Sequence, residues 1–237
     1  MEHTHSASTT MDPNVKLDLA VDRGEKEQKQ EDITDYQAVL GSLMYAAVAT
    51  RQDMSYAVSA LSRYNFRPFT SHLTTAKRVL QYLKFTANFR LYYTSNRIGN
   101  SIGIGIGIGS DLGNSHVEYS DSDWANVSAD RTSQGGHVCL ASNGAVSWHS
   151  WKQGLNAMST LEAEFIAYSE SSREARWIRQ LQKDIHNKDL SPLPICCDNQ
   201  GALTHITTGI IKARTTHINI CYHNRRDLHR RQIVNYS

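Results

Sequence analysis

Apolar residues recur every three or four positions from Tyr36 to Thr94, the spacing of amphipathic helices. In "DYQAVLGSLMYAAVA" the apolar face is Val39, Leu43, Ala46 and Ala47, and in "DMSYAVSALSRY" it is Tyr56, Ala57, Ala60 and Leu61. "SHLTTAKRVLQYLKFT" puts Leu73, Ala76, Leu80 and Leu83 on one side, with Ser71 as the expected N-cap. These stretches predict a small helical unit over 36–94. Residues 1–35 are polar, lack such a period, and read as a leader or disordered tether. Residues 95–115 read as a low-complexity linker. Its "IGIGIGIG" alternates like a strand, but glycine at every second place removes stiffness and packing. It contains neither a GxGxxG nor a phosphate-loop lysine.

From 116 onward the texture changes to strands and long helices. "HVEYSD", "GHVCLA", "AVSWHS" and "PLPICCD" read as strands. A long helix is predicted from about Ser159 to Ile185, and a second helix begins near Asn199. Three strands in a meander, a helix and a returning strand predict an α/β domain over 116–237, a mixed sheet with covering helices. In the long helix, with Glu164 as the origin, Leu161, Phe165, Tyr168, Ala175, Ile178 and Ile185 all fall within about 100° of it. Glu162 falls about 160° away, on the solvent side. A charge at the centre of a core-facing stripe is costly unless it is paired or coordinates something. Glu164 is therefore a candidate site residue.

Two aspartates extend that candidate. Asp121 and Asp198 each stand where an expected strand runs out, and in α/β sheets ligands collect at the carboxyl ends of strands. Asp198 alone could equally cap the helix that follows. Three converging acids would suit Mg²⁺, which takes carboxylate oxygens and keeps several waters. Two such ions roughly 4 Å apart could activate water and stabilise the leaving oxygen of a phosphodiester.

Composition narrows the setting. The 237 residues are 40% hydrophobic and 20% charged, as in ordinary soluble proteins. No apolar run approaches the roughly 20 residues of a membrane span, and the start lacks a signal-peptide pattern, so an intracellular, cytoplasmic protein with no membrane partner is expected. The net charge of +2 is uneven: residues 1–35 carry nine acids against four bases. The basic end holds Lys212, Arg214, Arg225, Arg226, Arg230 and Arg231 against Asp227 alone. That pattern fits phosphate contacts or a solvated basic face equally. Cys139, Cys196, Cys197 and Cys221 form no CxxC pair and read as buried thiols. Cys196 and Cys197, being adjacent in a strand, should point to opposite faces.

"YSDSDWA", "GAVSWHSWKQ", "STLEAEFIAYSESSREARWIRQL" and "CCDNQGAL" resemble, in order and spacing, the ribonuclease H domain of copia-type retrotransposon polyproteins. Upstream, "YQAVLGSLMYAAVATRQDMSYAVSALSRY" and "AKRVLQYLKFT" resemble the tail of the preceding reverse transcriptase. The resemblance covers about residues 36–225. It implies a ribonuclease H-like sheet and an RNA–DNA hybrid as partner, within a larger polyprotein. It also implies two-metal hydrolysis with two Mg²⁺ ions, the metal-binding acids being Asp121, Glu164 and Asp198. Asp123 and Trp124 would belong to the family's turn. The polymerase's paired-aspartate motif is absent. Asn219 stands in "THINICYH" where the family usually has aspartate. The family's fourth metal-binding aspartate, last strand and last helix are expected to be missing, the domain being C-terminally truncated, and cleavage is expected to be weak or absent.

Overall fold

The computed structural model describes residues 7–15, 17, 30–93, 116–124, 131–187, 192–198 and 234–236. The linker at 95–115, the helix expected near Asn199, Asn219, Cys221 and the basic residues Lys212, Arg214, Arg225, Arg226, Arg230 and Arg231 lie outside them.

The first unit is helical. Helix α1 spans Gln30–Ala49, a single 3-10 turn covers Gln52–Met54, α2 is Ser55–Ser62 and α3 is Thr70–Phe85. Tyr36, Leu40, Leu43 and Ala47 of α1 meet Ala57 and Leu61 of α2 and Ala76 and Val79 of α3 in one buried cluster. Side chains of this kind each contribute about 1.5–3 kcal/mol when fully buried, the larger ones most. Tyr36 keeps its hydroxyl satisfied in that core by donating to Leu61 O at 2.8 Å. Part of the segment expected as a tether also packs here. Ala7 and Leu17 are buried in the cluster, with Met11 and Val15 against it. Four apolar residues spread through a polar stretch carry no period, so pattern reading passes over them.

Two local expectations in this unit are corrected. Tyr56 is 42% exposed rather than core, because α2 turns that edge toward the sheet unit. Ser71 is not the cap of α3: the N-cap is Phe69, and its N–H donates to Nδ1 of His72 at 2.8 Å. With Nδ1 accepting, Nε2 carries the proton and donates to Leu17 O at 3.0 Å. A fully buried histidine thus supplies the capping acceptor that Ser71 was expected to provide.

The second unit is a five-stranded mixed sheet in the order β3-β2-β1-β4-β5. Its strands are β1 Val117–Asp123, β2 Gln134–Ala141, β3 Gly144–Lys152, β4 Leu193–Cys196 and β5 Val234–Tyr236. The first three pair antiparallel, while β1–β4 and β4–β5 pair parallel. Ser142 and Asn143, with φ of 50° and 64°, make the two-residue turn between β2 and β3 that matches strand twist. Gly135 is obligatory for packing, since a Cβ there would lie 2.7 Å from the Trp151 ring across the ladder. The fold is therefore the expected mixed α/β sheet with a covering helix, preceded by a helical segment. One part of the expectation fails: β5 adds a fifth strand where the last strand was expected to be missing. Three residues are too few for alternation to announce a strand.

Helix α4, Thr160–His186, crosses one face of the sheet. Ser159 caps it, its Oγ accepting from Glu162 N at 3.2 Å, and Asn187 ends it in the left-handed conformation at φ 49°. Phe165, Tyr168, Ala175 and Ile178 pack with Cys139, Leu193 and Ile195. Ile185, predicted in the same stripe, is 67% exposed, since the four-residue β4 does not extend beneath the last turn. Among the described residues no helix is long and apolar enough to cross a membrane.

Candidate active site

Alternation along β1 divides its residues between two faces. Glu118, Ser120 and Ser122 are buried, while Tyr119, Asp121 and Asp123 open onto the face away from α4. Asp121 was expected at the strand's end, with Asp123 in the turn; instead β1 continues through Asp123, and Trp124 is turn. The ladder opposite explains the extension. Asp121 pairs with Gly136 and Asp123 with Gln134, so backbone pairing proceeds while Asp121 has no side chain facing it.

Asp198 reaches the same level from the neighbouring strand. Tyr119 and Cys196 are parallel partners, so Asp121 and Asp198, each two residues further on, leave adjacent strands side by side. Both line an open cleft of about 730 Å³. The carboxylate of Asp121 accepts from Ser122 N at 2.8 Å, which fixes its orientation.

Glu164 approaches from α4 and is 4% exposed. The first turn of that helix and the segment that leads into it are each anchored once. Gln153 Nε2 donates to Ala163 O at 2.9 Å, and the Trp124 indole donates to Ala157 O at 3.0 Å. The tryptophan after β1 thus ties the strand bearing Asp121 to the approach of the helix bearing Glu164. Burial first, then the charges of Asp121 and Asp198, push the Glu164 carboxyl up to about 7, with the Ser122 hydroxyl and N–H opposing the rise. Glu162, two residues earlier, is half-buried and serves the helix start, where its Oε2 accepts from Met158 N at 2.8 Å.

The tightest group is Glu164, Cys197 and Asp198, whose ligand atoms all lie within 4.8 Å of one another. Asp121 adjoins this group through its charge on Glu164. Cys197 was read with the others as a buried thiol. It is half-buried, and its Sγ lies 4.0 Å from Glu164 Oε2. Cys196 is half-buried too and lines the cleft together with Cys197, whereas Cys139 is fully buried and its thiol is pushed up to about 12. β4 ends at Cys196, so strand alternation does not reach Cys197 and says nothing of how near the helix comes.

A second buried carboxylate escaped the sequence reading. Glu118 is fully buried beneath α4, and its Oε1 lies 3.0 Å from His137 Nδ1. Burial raises its pKa, and His137 opposes the rise. The signal was present: a glutamate at an inward position of an alternating strand obeys the same rule that singled out Glu164.

The donor set suits a hard divalent cation. Two carboxylates stand within ligand distance of each other, a third charge is adjacent, and one member is buried and disfavoured as an anion. A cation would remove that penalty. The Cys197 thiol is a soft ligand and adds nothing for Mg²⁺.

No protein-family model matches the chain. The retrovirus-related Pol polyprotein from transposon RE1 of Arabidopsis thaliana is 34% identical over 91% of this chain. The one from transposon TNT 1-94 of Nicotiana tabacum is 33% identical over 79%. The chain spans only 13% of either polyprotein. Secreted RxLR effector protein 161 of Plasmopara viticola is 36% identical over 60% of this chain and 90% of its own length. Among solved structures, LC11-RNase H1 in complex with RNA/DNA hybrid aligns with 51% of this chain and 80% of its own. At 11% identity and a TM-score of 0.36, that likeness is too weak to carry an inference. Pol polyproteins of transposons from two plants match most of the chain at 33–34% identity, and the chain belongs to the retrotransposon Pol polyprotein family.

Proposed function

We propose that the sheet unit is a ribonuclease H-type nuclease acting on RNA–DNA hybrid, and that residues 36–94 are the tail of a reverse transcriptase. The observation that carries this reading is Glu164: a carboxyl whose ionisation is disfavoured by burial and then by the charges of Asp121 and Asp198, in a chain of the Pol polyprotein family. Asp121 and Asp198 would hold Mg²⁺ from the sheet and Glu164 from the helix. When bound, Mg²⁺ supplies charge stabilisation at the phosphodiester and lowers the pKa of attacking water. The chain's own contribution is placement. Ser122 N–H orients Asp121, and the Trp124 and Gln153 hydrogen bonds hold the first turn of α4 and the segment that leads into it against the strand ends. The basic residues at 212–231 would add phosphate contacts and a steep salt dependence.

The test is incubation of the chain with end-labelled RNA–DNA hybrid in Mg²⁺, with EDTA and Asp198→Asn as controls. Weak Mg²⁺-dependent cutting of the RNA strand, lost in Asp198→Asn, is the expected result. Hybrid bound but uncut over hours would make the unit a nucleic-acid-binding remnant, and neither binding nor cutting would remove the nucleic-acid reading altogether.

A further inference from the structure

The cleft that holds Asp121 and Asp198 has a second wall, and the helical unit builds it. Gln52 of the 3-10 turn, with Ser55 and Tyr56 at the start of α2, lines the cleft together with Tyr119 and Trp148 of the sheet. The wall is fastened in place by hydrogen bonds between the units. The Trp148 indole donates to Ala47 O at 2.8 Å. Gln134, 4% exposed, donates to Ser59 Oγ of α2 at 3.1 Å and to Ser150 Oγ of β3 at 2.9 Å, and accepts from Arg63. A buried amide that joins both units fixes their spacing, since moving them apart would leave it buried without partners.

The opening has the volume of a small-ligand site, too small for a double helix but adequate for a nucleotide of one strand. Its chemistry is equally specific. Tyr56, Tyr119 and Trp148 offer rings, and Gln52 and Ser55 offer neutral hydrogen-bonding groups. The Trp148 ring is held in advance by its bond to Ala47, and Tyr56 keeps 42% of its surface exposed beside it. Rings with neutral polar neighbours suit bases and riboses, because every base presents a π-face.

We propose that Tyr56, supported by Gln52 and Ser55, binds a nucleotide of the strand whose phosphate is presented to Asp121 and Asp198. The helical unit is then part of the nuclease's substrate site. This inference rests on the proposed hybrid-cleaving reading and extends it to residues in the other unit. The contributed wall carries no charge, so it acts through stacking and shape, and its effect is independent of salt.

The experiment measures hybrid affinity by fluorescence anisotropy in the full chain bearing Asp198→Asn, which prevents turnover. Tyr56→Ala should raise Kd about tenfold, with the slope of log Kd against log salt unchanged. Tyr56→Phe should restore binding, and Tyr45→Ala, at a residue 79% exposed on α1, should have no effect. Unaltered affinity in Tyr56→Ala, alongside Mg²⁺-dependent cutting by the unmodified chain, overturns this inference and leaves the nuclease reading standing. Tyr56-dependent binding without cutting does the reverse. A chain that binds neither hybrid nor single strands overturns both.

Discussion

Each half of the molecule holds a carboxylate of opposite character, Asp53 a third exposed and Glu164 buried. In the helical unit, Asp53 accepts from Arg51 Nε at 3.0 Å, from Arg51 Nη2 at 2.8 Å and from the Tyr82 hydroxyl at 2.6 Å. Burial alone would raise its pKa, but those hydrogen bonds and the guanidinium's attraction outweigh it and hold the carboxyl below the ordinary range. Arg51 completes the network by donating to Thr86 O at 3.2 Å and lying 5.5 Å from the centre of the Tyr82 ring. Glu164 is the opposite case, with like charges for neighbours and a pKa raised to about 7. A charge network whose signs cancel stabilises the fold. One whose signs agree destabilises it, and persists where something outside the chain supplies the missing charge.

The largest expected effect tests the structural half. Arg51→Ala removes every one of its bonds at once and leaves Asp53 and Tyr82 facing each other without the cation. Arg51 is buried while Asp53 is a third exposed, so losing these charge-assisted hydrogen bonds costs about 2–3 kcal/mol, and urea denaturation should show a loss of that order. A loss below about 1 kcal/mol would mean that water replaces the guanidinium, and the contrast with Glu164 would collapse.

The second test reverses the sign. Glu164 has an unfolded pKa of 4.5 and a folded value of about 7, so the native state holds its proton more tightly. Between those values the native state binds more protons than the unfolded one, and stability contributed by this group falls as pH rises from about 4.5 to 7, then levels off. Glu164→Gln removes the anion while keeping the shape. At pH 8 without divalent metal it should therefore stabilise the chain, on the order of 2 kcal/mol, and flatten the pH profile over that window. A destabilised Glu164→Gln protein would show that the carboxylate is paired and structural after all.

The residues involved explain what could be read in advance. Glu164 was legible because a 27-residue helix repeats its period often enough to locate the centre of a stripe. The same period misplaced Ile185, because a helix pattern contains no information on how far the sheet beneath it extends. Asp121 was placed on its strand but at the wrong position, since strand ends depend on the partner's glycine rather than on the strand's own residues, and Asp198 stands two residues past β4 rather than at its end. Cys197 and the wall formed by Tyr56 and Trp148 depend on docking between elements far apart in sequence. The Trp148–Ala47 bond joins residues 101 positions apart, and no local pattern encodes it.

A third test supplies the missing charge directly. A ligand that binds only the native state stabilises it through mass action, by about 1.4 kcal/mol at ten times its Kd. Titrating Mg²⁺ at pH 8 should raise Tm, and the rise should shrink in Asp198→Asn and in Asp121→Asn. An equal rise in Arg51→Ala would show that the structural network has no part in it. Equal rises in all the aspartate variants would make the metal effect nonspecific and leave Glu164 without its proposed counterpart.

The smallest effect discriminates most finely, because it compares two glutamates only two positions apart. Glu162 lies in the first turn of α4, where its carboxylate accepts the Met158 N–H and faces the positive end of the helix dipole. It is stabilised as an anion by the geometry of the helix start, while Glu164, two residues further on and rotated by about 200°, is penalised as one. Glu162→Gln should keep a hydrogen bond but lose the charge term, costing about 0.5 kcal/mol. The cost should diminish as salt screens the exposed helix end. Glu164→Gln should move stability the other way, and salt should alter it little because the group is buried. Denaturation midpoints of the two variants, at low and high salt without divalent metal, must therefore shift in opposite directions; shifts of the same sign would show that position along the helix, not the company of Asp121 and Asp198, sets the energy of both.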